Sequence, residues 1–245
     1  MNELQTLEWY LSAGVDEIIG EEPINRLVPP VVPVQQNRPV QSNVILQAPV
    51  ALKKEVNETT SALAEQATTL DELKELLQNL DTPLKKMAQR LVFADGNPHS
   101  DLMIIGEAPG GEEDRQGLPF VGPSGKLLDL MLKSIGRDRT NTYITNVVNY
   151  RPENNRTPSF DEICLFLPFL KKHIELVKPK VILLLGSCAI TALTDGSETI
   201  TRLRGKWMDY NGIPMLASFH PSFLLRTPIQ KKNAWYDFLM IKQKL

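Results

Sequence analysis

The sequence has very little cysteine and no long hydrophobic run. Only Cys164 and Cys188 occur among 245 residues, which is too few for a disulfide framework, and they lack the spacing of metal ligands. No apolar stretch approaches the roughly 18 residues that span a bilayer. The first residues, including Glu3 and Glu8, lack the basic start and apolar core of a signal peptide. These absences favour a cytoplasmic protein.

Basic residues are scarce in the first third of the chain and in excess afterwards. Residues 1–80 hold 12 acidic and 5 basic side chains, whereas residues 81–245 hold 17 acidic and 22 basic ones. A mildly basic body suits contact with phosphates, but many neutral enzymes have the same balance. Charge alone therefore leaves both interpretations open.

The first 68 residues differ in pattern from the rest. Leu4–Ile19 has apolar residues at helical spacing and predicts a short amphipathic helix. Val28–Val50 contains five prolines and no aromatic residue, as an extended linker does. We predict a helical leader over residues 1–27, a proline-rich disordered linker over 28–68 and a globular domain over 69–245.

Part of the leader, Gln5–Trp9, faintly resembles peptides that dock on replication clamps. Two interpretations stay open. The leader docks weakly on a partner protein while the domain holds its substrate, or its helix packs back on the domain, which we favour.

Alternating strand and helix patterns run from Asp101 to the C-terminus. Four apolar segments have strand length, and helices are predicted between them; the segments are Leu102–Ile105, Tyr143–Val148, Val181–Leu185 and Ile213–Phe219. Capping boxes at Thr69 and Ser159, and a capping serine at Ser124, are predicted to begin three helices. Strands separated by helices form a parallel sheet covered on both faces. We predict an α/β fold of three α/β/α layers around a mainly parallel four-stranded sheet.

Ligands of such sheets bind beyond the carboxyl ends of the strands. The segments that follow the four strands here are Gly106–Gly111, Asn146–Arg151, Gly186–Ser187 and His220–Arg226. Three of the four are polar, so we expect the functional site at this edge of the sheet.

Four short motifs lie at or close to these strand ends. They are GEAPG at Gly106–Gly110, GLPFVG at Gly117–Gly122, ITNVV at Ile144–Val148 and HPS at His220–Ser222. In order and spacing they resemble the motifs of the family-4 uracil-DNA glycosylases, and the resemblance extends from about Leu91 to the C-terminus. Each motif alone is weak, whereas four in register are specific. The resemblance implies base excision repair, in which uracil is flipped out of DNA and cut from its deoxyribose.

The resemblance assigns five residues to the base pocket. Phe120 stacks on the extruded ring, and Glu113 closes the pocket against the methyl group of thymine. Asn146, which also belongs to the predicted catalytic set, pairs with uracil and rejects cytosine, because its amide matches only the uracil edge. Gly106 and Ala108 complete the set. The alternative for Phe120 is a core aromatic residue, and that for Asn146 is an amide that satisfies backbone groups. The alternative for Glu113 is an exposed acid.

The resemblance also assigns the catalytic histidine. His220 donates to a uracil carbonyl and stabilises the departing anion, whereas His99 and His173 are predicted to lie on the surface. In the best-known glycosylase branch an aspartate orients the attacking water, and its position here is Ala108. The neighbouring Glu107 is therefore our candidate for positioning water.

Several residues are predicted to contact DNA. They include Ser222 and, directly after it, Phe223 and Leu224, which suit a wedge that fills the gap left by the flipped nucleotide. Arg226 is expected to hold a phosphate, and Arg204 in a basic loop to line the DNA channel. The alternatives are a buried turn for the wedge and a solvated charged loop around Arg204.

Family-4 enzymes typically carry four cysteines that hold a [4Fe–4S] cluster. The corresponding residues here are Asn79, Thr82, Tyr150 and Phe166. Two thiols elsewhere do not replace four, so we expect no cluster, no metal and no other cofactor, with Tyr150 and Phe166 packed in its place. Cys188 stands at a predicted helix start, where a thiol pKa can fall, but a small buried side chain is the favoured interpretation.

A second glycosylase branch is trapped covalently through a histidine in a basic insertion. The corresponding residues 151–158 contain no histidine, which argues against covalent trapping. We expect a monomer that acts on uracil-containing DNA at the nucleoid of a bacterium. The alternatives are a catalytically idle, damage-sensing DNA-binding relative and, as a lesser variant, an enzyme retuned toward hypoxanthine or xanthine.

Overall fold

The computed structural model describes residues 55–194 and 199–245. The predicted leader and residues 28–54 of the predicted linker lie outside the described residues. The described part belongs to one compact unit, Pro49–Leu245. None of its helices has both the length and the apolar composition that crossing a membrane requires.

Within the described residues, a six-stranded mixed sheet forms the centre of the fold. Its strands are β1 Ala94–Gly96, β2 Leu102–Gly106, β3 Tyr143–Asn146, β4 Val181–Leu185, β5 Trp207–Tyr210 and β6 Ile213–Ser218. They lie in the order β1-β3-β2-β4-β6-β5. The four central strands are parallel, and β1 and β5 are antiparallel edges. The predicted class and the four central strands are confirmed, whereas the predicted number of strands is wrong.

The two edge strands explain the difference in number. β1 has three residues, Ala-Asp-Gly, and no apolar pattern that a sequence could display. β5 is only half buried, but it is joined to β6 by the two-residue turn Asn211–Gly212, in which both φ angles are positive (51° and 85°). Asn-Gly between two short segments is a strong hairpin signal, so β5 was detectable from the sequence.

Helices cover both faces of the sheet. They are α1 Glu55–Ala64, α2 Leu70–Asn79, α3 Pro83–Met87, α4 Gly111–Gln116, α5 Pro123–Ser134, α6 Phe160–Val177, α7 Ser187–Leu193, α8 Ile200–Leu203, α9 Pro221–Arg226 and α10 Lys231–Lys244. Successive strand residues face opposite sides, and the two sides of β2 enter two different apolar clusters. The larger core is completed by α1, α2, α6 and α7, and the smaller by α5 and α10. The predicted three layers are therefore confirmed.

The helix starts agree with two of the three predicted caps. Thr69 and Ser159 each accept a hydrogen bond from the backbone N–H three residues ahead, at 3.2 Å, in complete capping boxes. Ser124 is not a cap, because α5 begins one residue earlier, at Pro123, with Gly122 as its N-cap. Proline suits the first helical position, since it has no N–H to leave unpaired there.

Helix α1 departs from the prediction of a disordered linker over residues 28–68. It is rich in threonine, serine and glutamate, so its sequence shows little apolar periodicity. Ala64 at its end is buried in the larger core, and Ala67 follows it there. The folded part therefore starts before the predicted boundary at residue 69.

The four residues that the resemblance matches to cluster cysteines have side chains of other kinds. Phe166 is fully buried and meets the ring of Tyr150 edge to face, with centroids 6.2 Å apart. The Tyr150 hydroxyl donates to the Leu77 carbonyl at 3.0 Å. Thr82 caps α3, and Asn79 is the exposed last residue of α2. These residues offer aromatic packing and no thiolate, so they do not fit an iron–sulfur cluster.

We expect Phe166→Ala to lower the free energy of unfolding by about 3–5 kcal/mol, because truncating a buried phenylalanine loses packing and leaves a cavity. Urea denaturation measures the change. Leu130→Ala, at a side chain that is 65% exposed, is the control and should shift stability by less than about 0.5 kcal/mol. Equal, small effects of both substitutions would contradict a packing role for Phe166.

Candidate active site

A cavity of about 740 Å³ opens where the four parallel strands end. Segments that follow β2, β3, β4 and β6 all contribute to its wall, as the strand-end rule predicts. The predicted site residues that line it are Glu107, Ala108, Glu113, Phe120, Asn146, His220, Ser222, Phe223 and Arg226.

Gly106 at the end of β2 brings two of these side chains together. It pairs with Asn146 of β3 in the sheet register. A Cβ atom on Gly106 would lie 2.4 Å from Asn146 Oδ1 and 2.5 Å from Phe120 Cζ. Any larger residue would therefore collide with both, and the missing side chain lets the amide and the ring approach each other.

Phe120 belongs both to the smaller core and to the cavity wall. Its ring is 4% exposed, and its backbone has a φ of 55°, which is unusual for a bulky residue. The ring centroids of Phe120 and His220 lie 5.4 Å apart, with 30° between their planes. The ring is thus a flat apolar surface beside the imidazole and part of the core, and its stacking on a base stays a prediction.

Asn146 carries a carboxamide that no described residue pairs. The residue is 3% exposed and lines the cavity. Among the described residues its side chain has no hydrogen-bond partner, although its atoms are not sealed from the cavity. The alternative of an amide that satisfies backbone groups is therefore wrong, and both arms of the amide are free for a ligand.

His220 is held in one orientation by the start of α9. Its Nδ1 accepts a hydrogen bond from the Ser222 backbone N–H at 3.2 Å and lies 2.8 Å from Ser222 Oγ. Because Nδ1 is an acceptor, the neutral ring carries its proton on Nε2. Burial, and secondarily the charge of Arg226, lower the pKa of His220 to about 4. The ring is therefore neutral at pH 7.

The Glu113 carboxylate fixes the loop that carries Phe120. Oε1 accepts from the backbone N–H groups of Val121 (3.0 Å) and Gly122 (2.8 Å), and Oε2 accepts from that of Gly110 (3.1 Å). The residue is buried, so the alternative of an exposed acid is wrong. Its predicted action against thymine stays a prediction, to which the structure adds a rigid position in the cavity wall.

Glu107 is one of two acidic residues that line the cavity, the other being Glu113. Burial raises the pKa of its carboxyl group, and none of the described residues donates a hydrogen bond to it. Ala108 lines the cavity without a polar group. Burial, with the charge of Glu107, also raises the pKa of the Cys188 thiol, which confirms a small buried side chain rather than a reactive thiolate at this position.

Comparison with known proteins agrees with this geometry. The family model described as the uracil DNA glycosylase superfamily matches residues 93–240, which is more than half of the chain. The chain belongs to the uracil-DNA glycosylase superfamily.

The relatives named type-4 are the most informative. A type-4 uracil-DNA glycosylase of Thermotoga maritima is 42% identical over 146 residues, or 59% of this chain and 76% of that protein. Another, from Pyrobaculum aerophilum, is 37% identical over 182 residues, or 70% of this chain and 92% of that protein. A type-5 uracil-DNA glycosylase of the same organism is 29% identical over 144 residues. Similarity is thus greater to the type-4 branch that the motifs indicate.

Only some of the side chains that are predicted to contact DNA are accessible from the cavity. Ser222, Phe223 and Arg226 line the cavity, and Arg226 forms no ion pair with a described residue. Leu224 does not reach the surface, because it is buried (1% exposed) with Phe219 and Ala234. The wedge prediction is therefore not supported for Leu224.

Arg204 is also held inside the protein. Its guanidinium donates to both carboxylate oxygens of Asp237, at 2.6 and 3.2 Å, and to the Asn233 carbonyl. It also lies over the Phe219 ring, 5.5 Å from the centroid. The side chain ties the loop after α8 to α10, which differs from the predicted place in a DNA channel.

Other parts of the glycosylase domain were missed or misjudged from sequence. Asn155 and Arg156 line the cavity. They belong to the segment 151–158, for which the sequence indicates only the lack of a histidine. His99 is exposed as predicted, but His173 is buried. His173 bonds to the Tyr143 hydroxyl at 2.7 Å, and burial lowers its pKa to about 3. Its place late in α6 gave no sign that it faces the sheet.

We predict that the His220 ring shows its midpoint near pH 4 in an NMR titration, with the signal assigned from a His220→Asn variant. The ordinary pKa is 6.5 and that of the folded protein is about 4, so the unfolded chain binds more protons between these values. The stability that depends on neutral His220 is therefore complete above pH 6.5 and is lost as the pH falls toward 4. A midpoint near 6.5 in the folded protein would contradict the buried, neutral ring.

Proposed function

We propose that this protein is a uracil-DNA glycosylase that hydrolyses the bond between a flipped-out uracil and its deoxyribose and leaves an abasic site. The observation that carries the proposal is the convergence of Phe120, Asn146 and His220 on one cavity at the strand ends. The aromatic surface matches the face of one pyrimidine, and the unpaired amide matches its hydrogen-bonding edge. The neutral imidazole matches the negative charge that develops on the base as it leaves.

Recognition of uracil rests on the free carboxamide of Asn146. Uracil presents a carbonyl acceptor beside a ring N–H donor, and the amide answers with one donor and one acceptor. Cytosine presents an amino donor beside a bare nitrogen, so with the amide in the orientation seen here, Oδ1 toward Gly106, it would leave buried polar groups unpaired. Discrimination of about 10⁴-fold is attainable by such a mismatch, because unpaired buried polar groups are costly.

The cavity size and the position of Phe120 support a base taken out of the helix. A base stacked within a duplex cannot reach a buried amide, so the nucleotide must first rotate out. The cavity of about 740 Å³ has room for a pyrimidine and part of its sugar. Phe120 then replaces the lost stacking partner on one face of the ring.

His220 supports cleavage as a neutral donor. Water oxygen bonds to C1′ as the C1′–N1 bond breaks, and the bonding electrons spread over the uracil ring toward its carbonyl oxygen. The Nε2 proton of His220 is the group that steadies this charge, because Nδ1 is already occupied by Ser222. The water proton passes to a base or to solvent, and the uracil anion is protonated afterwards.

The proposal also covers the setting of the reaction. The folded domain, which begins before residue 69, acts as a monomer on chromosomal DNA in the cytoplasm of a bacterium, without an iron–sulfur cluster or other cofactor. Arg226 on the cavity wall contacts a phosphate beside the flipped nucleotide, which makes binding salt-dependent. The part played by the predicted leader, residues 1–27, is docking on a partner or on the domain.

The proposal is tested by incubating the protein with a uracil-containing oligonucleotide and cleaving the abasic product with alkali. We expect strand scission with uracil and none with thymine or cytosine. His220→Ala should lower the single-turnover rate by about 10²–10³-fold, since it removes a donor to the developing charge, whereas His99→Ala should not change it. Absence of scission by the wild-type protein with retained DNA binding would support an idle relative instead.

Glu107→Gln is a separate prediction. The carboxyl group stands beside Ala108, has no hydrogen-bond donor among the described residues, and has a pKa raised by burial. If it positions water or accepts its proton, the single-turnover rate should fall by about 10²-fold or more, with little change in DNA affinity. An unchanged rate would remove Glu107 from the mechanism.

A further inference from the structure

Arg139 lies outside the cavity, in the short helical turn Arg139–Asn141 before β3. Its guanidinium reaches the loop that carries Phe120 and donates to the Pro119 carbonyl at 3.1 Å and to the Phe120 carbonyl. Both acceptors are backbone atoms, so these bonds are independent of the side chains in the loop. Arg139 therefore determines where the peptide on either side of Phe120 lies.

Glu113 holds the same loop through groups of the opposite kind. Its Oε1 accepts from the N–H groups of Val121 and Gly122, immediately after Phe120. The Arg139 cation thus binds the carbonyl groups of residues 119 and 120. The Glu113 anion binds the N–H groups of residues 121 and 122. Four successive residues, 119–122, are fixed by two charged side chains.

The loop needs this restraint because its backbone is strained. A non-glycine residue with φ near +55° costs about 1–2 kcal/mol relative to the ordinary helical or extended regions. The loop is also packed tightly against the start of α5, since a Cβ on Gly125 would lie 1.6 Å from the Phe120 carbonyl oxygen. Without the external bonds, the loop would relax toward negative φ and carry the ring away from Asn146 and His220.

Arg139 is itself held in place by two carboxylates. Nε donates to Asp129 of α5 at 2.9 Å, and a terminal nitrogen donates to Asp95 of the edge strand β1. The side chain is 25% exposed. A guanidinium offers five donors in a rigid plane, and here they join β1, α5 and the Phe120 loop.

We propose that Arg139 is a positioning residue for uracil excision, which holds Phe120 in the strained conformation that makes it a stacking surface. The proposal rests on the proposed glycosylase function. It assigns a role to a residue that does not line the cavity and acts only through Phe120.

A double-mutant cycle tests the proposal, with single-turnover excision followed for hours so that slow variants remain measurable. Arg139→Gln should lower the rate by about 10–100-fold in the wild-type background, since small misplacements of a positioning group have effects of this size. In a Phe120→Ala background it should lower the rate by less than about 3-fold, because contacts that act as a unit are not additive.

Arg137→Gln is the matched control. Arg137 is a neighbour with a similar exposure of 20%, pairs with Asp101 at 3.5 Å and donates to the Asn141 carbonyl at 3.0 Å. It has no bond to the Phe120 loop, so it should leave the excision rate unchanged. Thermal denaturation measures the stability of every variant, and Arg139→Lys enters the same cycle if Arg139→Gln does not fold.

The outcomes separate the two proposals. Equal losses caused by Arg139→Gln in both backgrounds, or an equal loss caused by Arg137→Gln, would reject the positioning role. Excision by the wild-type protein would then still uphold the glycosylase function. A wild-type protein without excision would reject the glycosylase function itself, whatever the variants do.

Discussion

The pocket depends on the absence of a side chain at Gly106. This residue ends a fully buried strand, and on its neighbour β3 the paired residue is Asn146. The amide oxygen and the Phe120 ring both occupy the space that a Cβ would take. A buried parallel sheet thus supplies the rigidity, and one glycine supplies the close approach. The close approach at Gly106 places the Phe120 ring and the Asn146 amide where they can meet one face and one edge of the same bound ring.

The site leaves the Asn146 amide and the Glu107 carboxyl group without a partner among the described residues, and burial keeps its histidine neutral. An amide without a protein partner and a carboxyl group with a raised pKa are unfavourable inside a protein. Two apolar cores on either side of the sheet offset that instability. The imidazole is directed by Ser222 rather than by a carboxylate. Its Nε2 proton therefore remains available as a hydrogen-bond donor.

The sequence predicts the central sheet well, because β2 and β4 are buried on both faces and appear as continuous apolar runs. The motif residues Phe120, Asn146 and His220 meet as expected, since strand ends converge at one edge. Other roles depend on tertiary contacts that no local pattern encodes. Arg139 reaches carbonyls about 20 residues away, and Arg204 turns inward to Asp237. Leu224 follows the HPS motif in the predicted wedge, but the short helix α9 directs it into the protein.

The most direct test of the central claim is a crystal structure with DNA that carries 2′-fluoro-deoxyuridine, whose glycosidic bond resists cleavage. The account predicts an everted uracil stacked on Phe120, with its carbonyl and N–H edge on the Asn146 amide and another carbonyl on His220 Nε2. A uracil bound elsewhere, or one that contacts fewer than all three side chains, would contradict it.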